Sequence, residues 1–144
     1  MTFDFSEFKN KKIIVTGSST GIGFETGVEF LNLGANVIFH GNQSINDLEA
    51  RVKTKSQSQS FKIFKSDFTD LSQVDDFMNN AINYLDGLDI LVNNAGTMIG
   101  RYQLDTISEK DFLKIFDLNA KSAYFATKSS CTIFKKQNYG NIIN

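Results

Sequence analysis

"TGSSTGIG", residues 16–23, follows the apolar run "KIIVT" (12–16) and opens a helix-length segment near 21–33. A short apolar run ended by glycine reads as a buried strand. Strand, glycine turn and helix in that order form a setting for anion binding. The first N–H groups of a helix have no intrahelical partner, and the helix dipole favours negative charge there. Gly17 suits the tight turn, Gly21 a close backbone approach to a pyrophosphate, and Gly23 close packing of helix on sheet. Ser18, Ser19 and Thr20 add hydroxyl donors, and Ile22 belongs to the same first turn. The spacing is G-x-x-x-G-x-G rather than G-x-G-x-x-G. The competing reading is a glycine-rich turn with no ligand.

Outward from that turn the chain alternates. Further β-type runs are "NVIF" (36–39), "FKIF" (61–64), "LDILVN" (88–93) and "NIIN" (141–144), separated by helix-length segments near 44–55, 71–86 and 108–136. In 71–86, Val74, Phe77, Met78, Ala81, Ile82 and Leu85 follow helical spacing, with Asp70 placed as N-cap and Gln73 as its capping-box partner. Continuous apolar strands alternating with helices imply a parallel sheet covered on both faces, a doubly wound α/β fold of the Rossmann type. Residues 1–144 make one such domain. "KTKSQSQS" (53–60) reads as an exposed helix end and loop.

Composition narrows the function classes. The chain has 144 residues, 41% hydrophobic and 22% charged, with net charge −1, so it is sized and balanced for one globular core. The near-neutral charge and the lack of a basic patch speak against nucleic acid or an acidic membrane as partner. A single cysteine, Cys131, excludes an internal disulfide and a cysteine metal cluster, and suits a reducing cytoplasm. No metal site is expected. No stretch approaches the ~20 apolar residues of a membrane span. Proline is absent, and nothing in the fold reading explains it.

Dinucleotide sites of this kind place an acid at the end of the second strand, on the ribose 2′-OH. Here that region reads "FHGNQS" (39–44), with Gly41 at the acid's position and no Asp or Glu before Asp47. The missing acid argues against strict NAD use and leaves room for a 2′-phosphate, so a lean to NADP(H) over NAD(H) is expected. No arginine stands there, and His40, Asn42 and Thr20 are the neutral donors at hand. A strand-end histidine with no ligand role is the other reading of His40. The fourth strand ends in "NNAG", Asn93 to Gly96. Two amides and two small residues at that edge suit a flat ring or ribose. Asn93 is placed to fix the neighbouring strand. A plain Asn-Gly turn is the bland alternative.

"TGSSTGIG" followed by "NNAG" resembles the short-chain dehydrogenase/reductase family, over essentially all of 10–144 and in the style of its β-ketoacyl reductases and sugar, steroid and alcohol dehydrogenases. The resemblance implies a nicotinamide cofactor and a carbonyl or alcohol substrate. It implies that Asp67, with Phe68 beside it in "SDFTD", contacts the adenine. It implies that Asn119 in "FDLNAKSAYF" is the catalytic asparagine of a proton relay, and that the enzyme is a homodimer or homotetramer. From the residues alone, Asn119 falls on the apolar stripe of 108–136 with Phe112, Ile115, Phe116 and Ala123, where a satisfied core amide is the bland reading. Cys131 reads as a small core hydrophobe.

The family's serine and its Y-x-x-x-K pair are expected beyond Asn144. Tyr84, Tyr102 and Tyr139 lack the pattern, and Tyr124 with Lys128 matches it only formally. The chain therefore reads as the cofactor-binding half of such an oxidoreductase, inactive alone. A non-catalytic nucleotide-binding module and an unstable fragment are the alternatives. Marginal stability is expected, with "LDILVN" and "NIIN" facing water on one side.

Overall fold

The computed structural model describes residues 4–43, 45–98, 100–101 and 103–144. Expectations that touch Ser44, as the start of the second helical segment, and Tyr102 lie outside the described residues. Among the described residues five strands form one sheet: β1 Lys12–Val15, β2 Asn36–Gly41, β3 Phe61–Lys65, β4 Ile90–Val92 and β5 Asn141–Ile143. All pairings are parallel, in the order β3-β2-β1-β4-β5. The doubly wound sheet is therefore the observed fold.

Alternation along each strand builds two cores. Ile13, Val15, Val37, Phe39, Ile90 and Val92 point to one face. There they meet Phe24, Val28 and Leu31 of α1 (Gly21–Asn32) and Leu48 and Val52 of α2 (Leu48–Lys55). Ile14, Ile38 and Leu91 point to the other, beneath α3 (Leu71–Leu85) and Ala126 of α5 (Ser122–Gln137). Both faces are covered, which is why the strands read as unbroken apolar runs. Each fully buried Val, Leu, Ile or Phe contributes about 1.5–3 kcal/mol.

Two local expectations change. Asp70 does cap α3, its Oδ1 accepting the Ser72 N–H at 2.9 Å. Gln73 does not close a capping box. Its Nε2 donates to Asp70 Oδ2 at 3.2 Å and its Oε1 accepts the Asp67 N–H at 2.9 Å, so it braces the β3–α3 loop instead. The segment 108–136 is not one regular helix. It runs as α4 (Glu109–Phe116), a π-helical turn (Asp117–Lys121) and α5. The wider turn shifts the register of the apolar stripe, so its first part leaves the core. Phe112 and Phe116 are exposed, while Ala126 is buried.

The expected wetting of "LDILVN" is also corrected. Leu88, Ile90, Leu91 and Val92 are at most 7% exposed, because both helical layers reach over β4. Only the β5 end fits the expectation, with Ile143 47% exposed.

Candidate functional site

The glycine turn sits at the C-terminal edge of β1. Gly17 takes φ +61°, and a Cβ there would lie 2.7 Å from Ala95 Cα. The turn and the "NNAG" loop are thus in backbone contact, which any side chain would block. Gly23 packs equally close, its absent Cβ falling 2.3 Å from Asn94 Nδ2. Thr20 is the N-cap of α1, yet its side chain makes no capping bond. Ser108 caps α4 through the Asp111 N–H, and Asp70 caps α3. The first turn of α1 is left with its N–H groups and the Thr20 hydroxyl open.

Three expected donors are already spent. The Ser18 hydroxyl is fully buried; it donates to Val15 O at 2.7 Å and accepts the His40 N–H at 2.8 Å. It is structural and not a phosphate donor. His40 is 3% exposed and uses both ring nitrogens. Nδ1 accepts the Gly17 N–H at 2.9 Å, and Nε2 lies 3.1 Å from Ser66 O. A carbonyl only accepts, so Nε2 carries the proton and the ring is neutral. Burial is the main cause that lowers its pKa to about 4, against the opposing Ser66 carbonyl and Asp67 charge. His40 therefore forms the floor of the site and is not a free donor to a ligand. Asn94 is the third, its Nδ2 donating to Thr16 O and Gly17 O at 3.0 Å each.

Gly41, at the position expected for an acid, has no room for one. A Cβ there would lie 2.6 Å from Ser19 Cβ and 2.8 Å from Ile45 Cγ2. No arginine stands beside this strand end in the sequence, but α2 delivers one. Arg51 Nη2 donates to Ser19 O at 2.8 Å, and its Nε lies 3.1 Å from Asp47 Oδ2. The arginine is distant along the chain, and only the packing of α2 brings it to the turn.

In the β3–α3 loop Asp67 Oδ1 accepts from Thr69 N at 2.9 Å and from Thr69 Oγ1 at 2.8 Å. The Thr69 N–H is the largest influence holding this carboxyl below its ordinary pKa, helped by the Thr69 hydroxyl and Asn42 amide against partial burial. Phe68 is buried, stacked on His40 at 4.0 Å and edge-on to Phe77 at 5.2 Å. Its ring belongs to the core.

Asn93 fixes the β4–β5 edge as expected, donating to Thr127 Oγ1 at 3.0 Å and Asn144 Oδ1 at 2.9 Å. Asn119 sits in the π turn and is exposed, not buried on the stripe. Its amide pairs reciprocally with the Thr97 backbone, accepting from N at 3.1 Å and donating to O at 2.9 Å, and also donates to Ile115 O at 2.8 Å. Gly96 packs against this amide, and a Cβ there would fall 2.5 Å from Asn119 Oδ1 and displace it. A further residue carries this edge. Thr16 Oγ1 donates to Val92 O at 3.2 Å and accepts from Asn94 N and Ala95 N at 3.0 Å each. Its place at a strand end before the turn was visible, but its partners were not.

These loops enclose a polar cleft of about 470 Å³. Gly17, Ser19 and Thr20 line it from the turn, and His40, Gly41, Asn42 and Gln43 from β2. Ser66 to Thr69, Ala95 to Thr97, Lys114 and Leu118 complete it. A larger hollow of about 710 Å³ lies on the outer face of α1 around Ile22, Phe30 and Leu33. It is apolar apart from Glu25, Thr26 and Glu29, and those carboxylates would repel a phosphate. The cleft, walled by the glycine turn up to the N-cap of α1 and by loops from neighbouring strands, is the better-founded site.

A parallel sheet in this order, its glycine-led helix opening at the strands' C-terminal edge, defines a doubly wound α/β protein of Rossmann type. The sequence model of one such family, short chain dehydrogenase, matches residues 11–144. The chain belongs to that family. It is 32% identical over 136 residues to a probable NADP-dependent mannitol dehydrogenase of Yarrowia lipolytica, covering 94% of this chain and 49% of that protein. It is 32% identical to galactitol 2-dehydrogenase of Agrobacterium fabrum, covering 94% and 52%. The solved NADH-dependent reductase A1-R′ complexed with NAD superposes with TM-score 0.86 at 27% identity, covering 96% of this chain and 60% of that one. A short chain dehydrogenase of Burkholderia cenocepacia J2315 in complex with NADP shares the fold, with TM-score 0.80, 24% identity and coverage of 88% and 51%. The chain spans about half the length of the curated relatives it matches.

Proposed function

We propose that the cleft binds a nicotinamide adenine dinucleotide, and that the chain supplies the cofactor-binding part of an oxidoreductase moving hydride between that cofactor and a carbonyl or alcohol. The observation that carries this is a polar cleft walled by Gly17, Ser19 and Thr20, the residues that lead directly into the uncapped first turn of α1. The pyrophosphate would lie on Ser19, Thr20 and the N–H groups of Gly21, Ile22 and Gly23. The adenosine end would meet Asn42, Asp67 and the Phe68 backbone. Ala95 and Gly96 would face the ribose on the nicotinamide side. Asn119 would act by holding Thr97 in the wall of the cleft, as its exposed amide is committed to that backbone.

The cofactor supplies the hydride; the chain's own groups bind and orient it. Family membership supports the reaction class, and the relatives' named substrates, mannitol and galactitol, support a polyhydroxylated substrate. The relatives' names include both NADP and NADH. The lean to NADP(H) rests on this chain: Gly41 cannot carry an acid without movement, and Arg51 adds a cation against Ser19.

Isothermal titration of the chain with ADP-ribose, NADH and NADPH tests the reading. Saturable binding of all three is expected, NADPH at least as tightly as NADH and weakening with added salt. No heat of binding at millimolar ligand would sink it.

A further inference from the structure

The ring of His40 reaches across three strand ends. β2 lies between β1 and β3 in the sheet, and His40 sits near its C-terminal end. On one side Nδ1 takes the Gly17 N–H from the turn after β1. On the other, Nε2–H meets the Ser66 carbonyl after β3. The rings of Phe68, at 4.0 Å, and Phe77, at 4.8 Å, hold its plane. The backbone repeats the link, with Ser18 N donating to His40 O and Ser66 N to Gly41 O.

We propose that His40 is a positioning residue for the cofactor: its neutral ring clasps the glycine turn to the Ser66–Phe68 loop and sets the separation of the two cleft walls. This rests on the cofactor reading above, in which one wall takes the pyrophosphate and the other the adenosine end. The chemistry needs an imidazole. Gly17 N–H requires an acceptor and Ser66 C=O a donor, on opposite sides of one buried planar group, and a neutral imidazole offers both. Protonation would turn Nδ1 into a donor facing the Gly17 N–H. Burial opposes that, and the Asp67 carboxylate is the nearby charge favouring it. An apolar residue here would leave both backbone groups unpaired.

His40 is the chain's single histidine, so its imidazole signals need no assignment by mutation. Long-range proton–nitrogen spectra of the labelled chain should show the Nε2–H tautomer. Two variants divide the clasp. His40→Asn keeps an acceptor for Gly17 but does not reach Ser66; His40→Leu keeps neither. ADP-ribose and inorganic pyrophosphate are titrated at a temperature where melts show each variant folded. ADP-ribose binding should weaken about tenfold or more in His40→Asn and further in His40→Leu, the scale of one or two lost buried hydrogen bonds. Pyrophosphate binding to His40→Asn should stay within about twofold of wild type, because the turn keeps its bond. A purely structural histidine would lower the melt and leave both affinities of the folded variant unchanged; that result overturns the proposal, as does an Nδ1–H tautomer. If His40→Leu does not fold, His40→Asn decides. If wild type binds neither ligand, the cofactor reading falls and the positioning role with it, while the tautomer still reports on the clasp itself.

Discussion

Thr16 and His40 show how single polar atoms govern this edge. The Thr16 hydroxyl joins the β4 end to the "NNAG" loop through three contacts. Thr16→Val keeps the shape and removes them all, leaving the Ala95 N–H in need of a partner. A loss of about 1–3 kcal/mol is expected in urea unfolding, and an unchanged midpoint would show that the loop does not depend on this hydroxyl. His40 makes stability depend on pH. Its folded pKa is near 4, below the ordinary 6.5, so the folded state favours the neutral ring. The contribution is complete above pH 6.5 and is lost as pH falls toward 4, about 3 kcal/mol in all. Urea midpoints of wild type and His40→Asn measured across that window should converge as pH falls. Parallel curves would remove His40 from the acid response.

Among the elements, α1 departs from α3 and α4 in how it starts. Asp70 and Ser108 satisfy N–H groups with their side chains, whereas Thr20, like Asp47 before α2, makes no such bond, and of these two it is Thr20 that lines the cleft. A helix end left open beside a polar cleft is ready for an anion. Thr20→Asp supplies that negative charge from within. It should raise stability by about 0.5–2 kcal/mol, the range of a good N-cap, and weaken ADP-ribose binding at least tenfold. Tighter binding with the carboxylate in place would argue that no phosphate lies there. The π turn between α4 and α5 has a comparable local role. It places Asn119 against Thr97 rather than in the core, and leaves the aromatic face of α4, Phe112 and Phe116, exposed.

For the whole molecule, binding and turnover separate. The described residues hold a cleft suited to a dinucleotide, and among them no helix is long and apolar enough to cross a membrane. Hydride transfer to a carbonyl also needs a proton for the forming alkoxide, and a missing general acid typically lowers rates by ~10²–10⁴-fold. Tyr124 is the tyrosine formally paired with a lysine four residues on, and it projects from α5, 67% exposed. We expect the 144-residue chain to bind ADP-ribose but not to oxidise NADPH across a panel of carbonyl compounds. Turnover that follows the purified protein would place a proton donor within these residues.

The places of the strands and their parallel direction were legible in the sequence. Apolar runs such as "KIIVT" and "NVIF", and the helical spacing of Val74 to Leu85, record burial on two faces and on one stripe. Those patterns are local, because the period of side chains along a strand or helix is fixed by its backbone. The glycine turn and "NNAG" were legible for the same reason, as loops at the ends of recognisable elements. The fate of individual polar atoms was not. Ser18, His40 and Asn94 looked like ligand donors, and Asn119 looked buried. Their long-range partners, His40 N–H for Ser18, Gly17 and Ser66 for His40, Gly17 for Asn94 and Thr97 for Asn119, are set by which strand ends become neighbours and where the π turn shifts the register. Arg51 reached the turn only because α2 packs beside it. A sequence shows which groups can form hydrogen bonds, but a donor has few bonds to give. Which ones remain for a ligand is decided only when distant segments are folded into contact and the buried groups have taken their share.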